Sequence, residues 1–268
     1  MIPYFINERL VSAARRPDAL ILHPHAQRTG GNTIRRHVLT AVFGEDKIYN
    51  AFNVPDAKPW ENLKDSDVEG FSAVTGHFNF TPIKLNRVCL PIAVLRHPVY
   101  RAASLYSFVK RKSGHRLHAL ANQHTLEDFY PKASAIAPRY LQNVQCMRIC
   151  DVARASVAAA YLQDRYLAVG FTENIGEFAN ALGARLGWPH LDIKEKGADS
   201  AHYEPLISPA FREMVLSDNA EDMKLFDIVR AGPPFATYAA AIAANVATLT
   251  AKKLRRTARG VVRRMRKQ

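Results

Sequence analysis

One stretch restricts the fold of this chain more than any other. Ala19-Leu20-Ile21-Leu22-His23, an apolar strand candidate entered from the turn signal Arg16-Pro17-Asp18, runs into a glycine-bearing loop at 27–31, and Asn32 or Thr33 can then cap a helix. Ile34, Val38, Leu39 and Val42 recur at helical spacing in that helix, which should stop at Gly44. Strand, tight loop and helix in this order imply an α/β domain with a parallel sheet. The same order creates an anion site, because unpaired N–H groups converge at a helix N-terminus where the dipole favours negative charge.

The rest of the chain repeats the alternation. Buried-strand candidates lie at 71–75, 90–95 and 166–169. A helix should begin at Pro98 and carry Val99, Ala102, Ala103, Tyr106 and Val109 on one side. Further helices are expected at 126–132, at 174–186, and at 209–229 with a break near Ser217. Ala231-Gly232-Pro233-Pro234 is the clearest boundary, and divides the chain into a domain over 1–230 and a C-terminal segment over 231–268. In that segment Phe235, Tyr238, Ile242, Val246 and Leu249 are spaced for a helix that packs on the body or on a second subunit, which leaves a homo-oligomer open.

Charge separates the two parts. The formal net charge is +13, and nine basic residues with no acid lie after Ala251, so the body is only mildly basic and the tail is a distinct polybasic element. The tail reads as a solvated end or as a peripheral contact with an anionic membrane surface. Nucleic acid is not expected, since the body has no recognisable reader motif. Three cysteines, Cys89, Cys146 and Cys150, are too few for a disulfide framework and are not paired for zinc, which favours a reducing compartment. The first residues lack a continuous apolar run, so no signal peptide is expected and the protein is placed in the cytoplasm, at most peripheral to the inner face of the membrane.

Two loops carry the candidate chemistry. In Gln27-Arg28-Thr29-Gly30-Gly31-Asn32-Thr33 the glycines permit close backbone approach, Arg28 supplies a fixed charge, and the hydroxyls of Thr29 and Thr33 can reach phosphate oxygens. The Gly-x-x-x-x-Gly-Lys-Ser/Thr signature of nucleotide triphosphatases does not occur, so phosphate binding is indicated and ATP hydrolysis is not. The second piece is Arg96-His97-Pro98, with Ser104 two helical turns later, at the carboxyl end of a strand where open α/β sheets bind ligands. Taken singly, each piece also fits plain turn or capping chemistry.

Taken together, the two pieces resemble the sulfotransferases that use 3′-phosphoadenosine-5′-phosphosulfate (PAPS), in particular the carbohydrate branch that includes heparan sulfate 2-O-sulfotransferase and many bacterial relatives. That family's first loop usually reads Pro-Lys-Thr-Gly-Gly-Thr-Ser-Leu, aligned here with Gln27 through Ile34. Its second reads Arg-Asp-Pro and then Ser-x-Tyr, matched by Arg96 to Pro98 and by Ser104 with Tyr106. Weaker similarities are Gly76-His77, the segment Val169-Gly170-Phe171-Thr172-Glu173, and Asn219, Asp222 and Leu225-Phe226 in a late helix. Arg28 stands where the family usually has lysine, and Gln27 where it has proline.

The resemblance implies a P-loop-NTPase-like three-layer α/β fold with a central parallel sheet flanked by helices. It also implies a donor site in which Arg28, Thr29, Gly30, Gly31, Asn32 and Thr33 hold the 5′-phosphosulfate, while Arg96 and Ser104 hold the 3′-phosphate. His77 would be the base and Arg28 would neutralise the leaving phosphate oxygen; no metal is required. The acceptor would be a hydroxyl of a saccharide, polysaccharide or glycolipid, met by loops at 110–124 and 194–205. Two alternatives stay open: a nucleotide-dependent kinase, against which the missing Walker lysine speaks, and a non-enzymatic polyanion- or membrane-binding module. Among the other histidines, His23 and His25 share one face and could line the pocket, while His115 and His118 fall in a basic segment.

Overall fold

The computed structural model describes residues 4–51, 58–193 and 201–233. The body is an α/β structure built on a six-stranded sheet. Its strands are β1 (Tyr4–Ile6), β2 (Ala19–Pro24), β3 (Ile48–Asn50), β4 (Ala73–Gly76), β5 (Val88–Leu95) and β6 (Ala168–Phe171), in the order β1-β6-β5-β2-β4-β3. All pairings are parallel except that of β1, which runs antiparallel to β6 along the edge. The sheet is therefore mixed where a parallel one was expected.

Helices cover both faces. On one side lie α1 (Glu8–Ala14) and α2, in which Gly31–Thr33, Ile34–Leu39 and Thr40–Phe43 follow one another, the middle stretch wound as a wider π-helix. Then come α3 (Pro98–Arg111), α4 (His118–Gln123), α5 (Leu126–Ile136), α6 (Pro138–Leu141), α7 (Val144–Cys150), α8 (Ala155–Asp164), α9 (Ile175–Leu186), α10 (Pro209–Asp218) and α11 (Ala220–Ala231).

The two-residue period of the strands divides the core. Leu20, Leu22, Val74, Ala93, Leu95 and Val169 face α7, α8 and α11, whereas Ile21, Ala73, Leu90, Ile92, Val94 and Ala168 face α1, α2 and α9. A third apolar cluster joins α3, α5 and α10 around Phe129, Tyr130 and Phe211. The break expected near Ser217 falls at Asn219, between α10 and α11. Strands anticipated at 71–75 and 166–169 lie two residues later, because the apolar runs begin before the ladder does. The C-terminal helical spacing after Gly232 and the polybasic tail lie outside the described residues.

Within β6, Gly170 packs so closely under the Phe178 ring of α9 that an added Cβ would overlap it. Gly170→Ala is expected to force β6 and α9 apart at a cost of about 1–3 kcal/mol, seen as a melting midpoint lowered by several degrees. An unchanged midpoint would show that the ring swings away freely.

Candidate functional site

The carboxyl ends of β4, β2 and β5 lie side by side, since β2 is flanked by the other two. Each end delivers one group to the same edge of the sheet, the edge where open α/β sheets take ligands. β4 leads into His77, β2 into the loop before α2, and β5 into Arg96 and the start of α3.

The first loop is held in a shape that few sequences allow. Arg28 and Gly30 both lie in the left-handed region, at φ +71° and +82°. For the arginine this costs on the order of 1–2 kcal/mol. The hydroxyl of Thr29, fully buried, donates to the Ala26 carbonyl at 2.9 Å and cross-braces the turn. A side chain at Gly30 would come within 2.5 Å of Ile175 Cδ1, and one at Gly31 would overlap the His25 imidazole. The glycines thus let the backbone sink between α9 and His25 and leave the first amides of α2 without helical partners. Asn32 is exposed, and Thr33 is half-buried beside it.

The second piece meets the first directly. Arg28 Nε donates to Ser104 Oγ at 3.0 Å, and Arg96 Nη1 donates to the Arg28 carbonyl at 3.3 Å. The Arg28 guanidinium lies over the Phe108 ring at 5.0 Å, and the Arg96 guanidinium over Tyr203 at 5.4 Å. Arg96 is only 2% exposed, and its buried Nε and Nη2 have no hydrogen-bond acceptor among the described residues. Burial lowers the proton affinity of both arginines, and the Tyr203 phenol partly offsets this for each. Both guanidinium groups stay charged all the same. A half-buried and a buried cation, the second with donors that meet no acceptor among the described residues, beside a helix N-terminus give this edge the charge and the donors that an anion would need.

Three histidines form the opposite wall. The His23 and His25 rings stack at 4.7 Å, and His77 meets His25 edge-on at 4.5 Å. His23 Nδ1 pairs with Thr75 Oγ1 at 3.0 Å. All three are held in the neutral form: His25 is lowered to about 4 and His77 to about 2, in each case mainly by burial, with Arg148 adding to the effect. His23 falls well below its ordinary value, by burial first and by its two neighbours second. Arg148 itself is fixed to Asn79 Oδ1 at 2.5 Å. His77 therefore reaches the glycine loop through His25, which fills the space under Gly31.

Some members of the site carry little sequence signal. Phe108 could have been found, one turn beyond Ser104 on the same face of α3. Tyr203, Arg148 and Gln145 come from distant segments and stand in no motif. No family model matches the chain, and no curated protein matches it.

Proposed function

We propose that this protein transfers a sulfuryl group from 3′-phosphoadenosine-5′-phosphosulfate to a hydroxyl of a saccharide, polysaccharide or glycolipid, on a fold of the P-loop-NTPase-like kind. The observation that carries the reading is the contact between the two loops, Arg28 Nε to Ser104 Oγ at 3.0 Å with Arg96 on the Arg28 carbonyl. Residues 76 apart in the chain thereby meet at one edge of the sheet, which supports a ligand with phosphates at two ends.

In this reading the amides that open α2 and the charge of Arg28 take the 5′-phosphosulfate. Arg96 and Ser104 take the 3′-phosphate. The neutral imidazole of His77 accepts the proton of the acceptor hydroxyl as its oxygen attacks sulfur in line. The bond between sulfur and the bridging phosphate oxygen breaks, and the charge left on that oxygen is stabilised by Arg28 and the helix terminus. Arginine in place of the more usual lysine has the reach to hold Ser104 as well, and its planar fork keeps further donors for the phosphate.

Calorimetry with adenosine 3′,5′-bisphosphate tests the donor site. Binding is expected for the wild type and is expected to weaken about 100-fold in Arg96→Ala, the loss of a charge-assisted contact made without competition from water. A preference for ATP over the bisphosphate would favour phosphoryl transfer instead. Binding of neither nucleotide would overturn the enzymatic reading.

A further inference from the structure

The β5–β6 ladder ends at the pair Leu95 and Phe171, and Thr172 Oγ1 caps the Leu95 carbonyl at 3.2 Å. The next residue, Arg96, is buried, so its N–H and C=O must find partners that no strand provides. Both partners come from one side chain. Gln145 Oε1 accepts from the Arg96 N–H at 2.8 Å, and Gln145 Nε2 donates to the Arg96 carbonyl at 2.9 Å, the pair of bonds a neighbouring strand would have made.

Gln145 is in turn fixed from behind. It lies in the first turn of α7, is 2% exposed, and its own N–H donates to Asp222 Oδ2 at 2.9 Å while the Cys146 N–H donates to Asp222 Oδ1 at 2.8 Å. Asp222 is fully enclosed at the start of α11, and its N–H, with that of Glu221, donates to Asn143 Oδ1 at 3.0 Å. Asn219 closes the circuit by accepting from the Asn143 N–H at 3.0 Å. Two helix starts therefore cap each other, and a single amide projects from the joint onto the backbone of Arg96.

We propose that Gln145 is a positioning residue that aims the Arg96 guanidinium, so that recognition of the donor's 3′-phosphate depends on the clasp between α7, α11 and the end of β5. This inference rests on the reading of the site as a PAPS site. Backbone rotation at Arg96 would swing its guanidinium off the Arg28 carbonyl, whereas Arg28 keeps its bond to Ser104 and the helix-terminus half of the site, built on β2 and α2, makes no hydrogen bond to Gln145 among the described residues. The consequence is selective: loss of the clasp weakens recognition of the 3′-phosphate and spares the 5′ end.

The test compares calorimetric affinities for adenosine 3′,5′-bisphosphate and for AMP in the wild type, in Gln145→Met and in Gln145→Glu. The glutamate variant keeps the acceptor and the shape but sets a carboxylate oxygen against the Arg96 carbonyl in place of the donor, so it breaks the clasp by repulsion and serves if the methionine variant does not fold. The ratio of the two affinities is expected to fall about 10-fold or more, with AMP binding changed by less than about 3-fold; a general loosening of the fold would weaken both nucleotides together. In an Arg96→Ala background the Gln145 substitution is expected to cost no further discrimination, as a residue acting only through Arg96 requires. An unchanged ratio in a variant that binds both nucleotides overturns the clasp and leaves the donor site standing. A wild type without any preference for the 3′-phosphate overturns the donor site and the clasp with it.

Discussion

Between pH 7 and pH 5 the protein is expected to lose about 6 kcal/mol of folding stability, most of what a domain of ordinary stability possesses. The cause is the histidine wall behind the glycine loop, together with His97 at the start of α3, which burial also lowers to about 4. His23, His25 and His77 are all depressed, His25 to about 4 and His77 to about 2, chiefly because burial penalises the imidazolium form. In the unfolded chain each titrates near 6.5. A depressed value in the folded state means that the stabilisation is complete above the unfolded value and drains away as the pH falls toward the folded one. At pH 5 each unfolded histidine has taken up a proton that its native counterpart refuses, which is worth about 2 kcal/mol for each of His25, His77 and His97, with His23 acting in the same direction. Chemical denaturation at half-unit steps from pH 7.5 to 5 should show the midpoint falling steeply, and His25→Gln should remove about a quarter of the slope, as one of four depressed histidines. A curve flat across that interval would mean that the four rings are solvated or charged in the native state.

The wall also shows what the sequence could and could not disclose. Local patterns were legible: β2 and the start of α3 at Pro98 lie where spacing and turn chemistry put them, because each is decided by residues a few positions apart, while α2 starts at Gly31 with Gly30 as its cap, ahead of the cap expected at Asn32 or Thr33. The three-residue strands β1 and β3 were not, since so short a segment has no period to read and becomes a strand only by pairing with β6 or β4. Arg28 at φ +71° was equally hidden, for nothing in its neighbours requires a left-handed arginine; the contacts to Ser104 and Phe108 hold it there. The candidate site followed the same division. Its two loops could be named from motifs and His25 from its place beyond the end of β2, while Gln145, which holds the backbone of Arg96, arises from packing between distant segments.

His77→Ala is expected to lower sulfuryl transfer by about 10²–10⁴-fold while leaving affinity for adenosine 3′,5′-bisphosphate within about 3-fold. The separation follows from placement: Arg28 bonds both Ser104 and Arg96, while His77 packs on the His25 ring. A value of about 2 keeps His77 unprotonated, as a base must be, yet makes it a weak one. An anionic sulfuryl donor drawn against the imidazole favours the imidazolium and raises that value, so that proton affinity grows when the substrate arrives. The pH profile should register the change. The acid limb of kcat, which reports the complex, is expected to enter the range where the protein is still folded, whereas kcat/KM, which reports the free enzyme, should show no limb from His77 in that range. Full turnover in His77→Ala would remove His77 from the reaction, and loss of turnover with intact donor binding in His25→Ala would then identify its neighbour as the group that takes the proton.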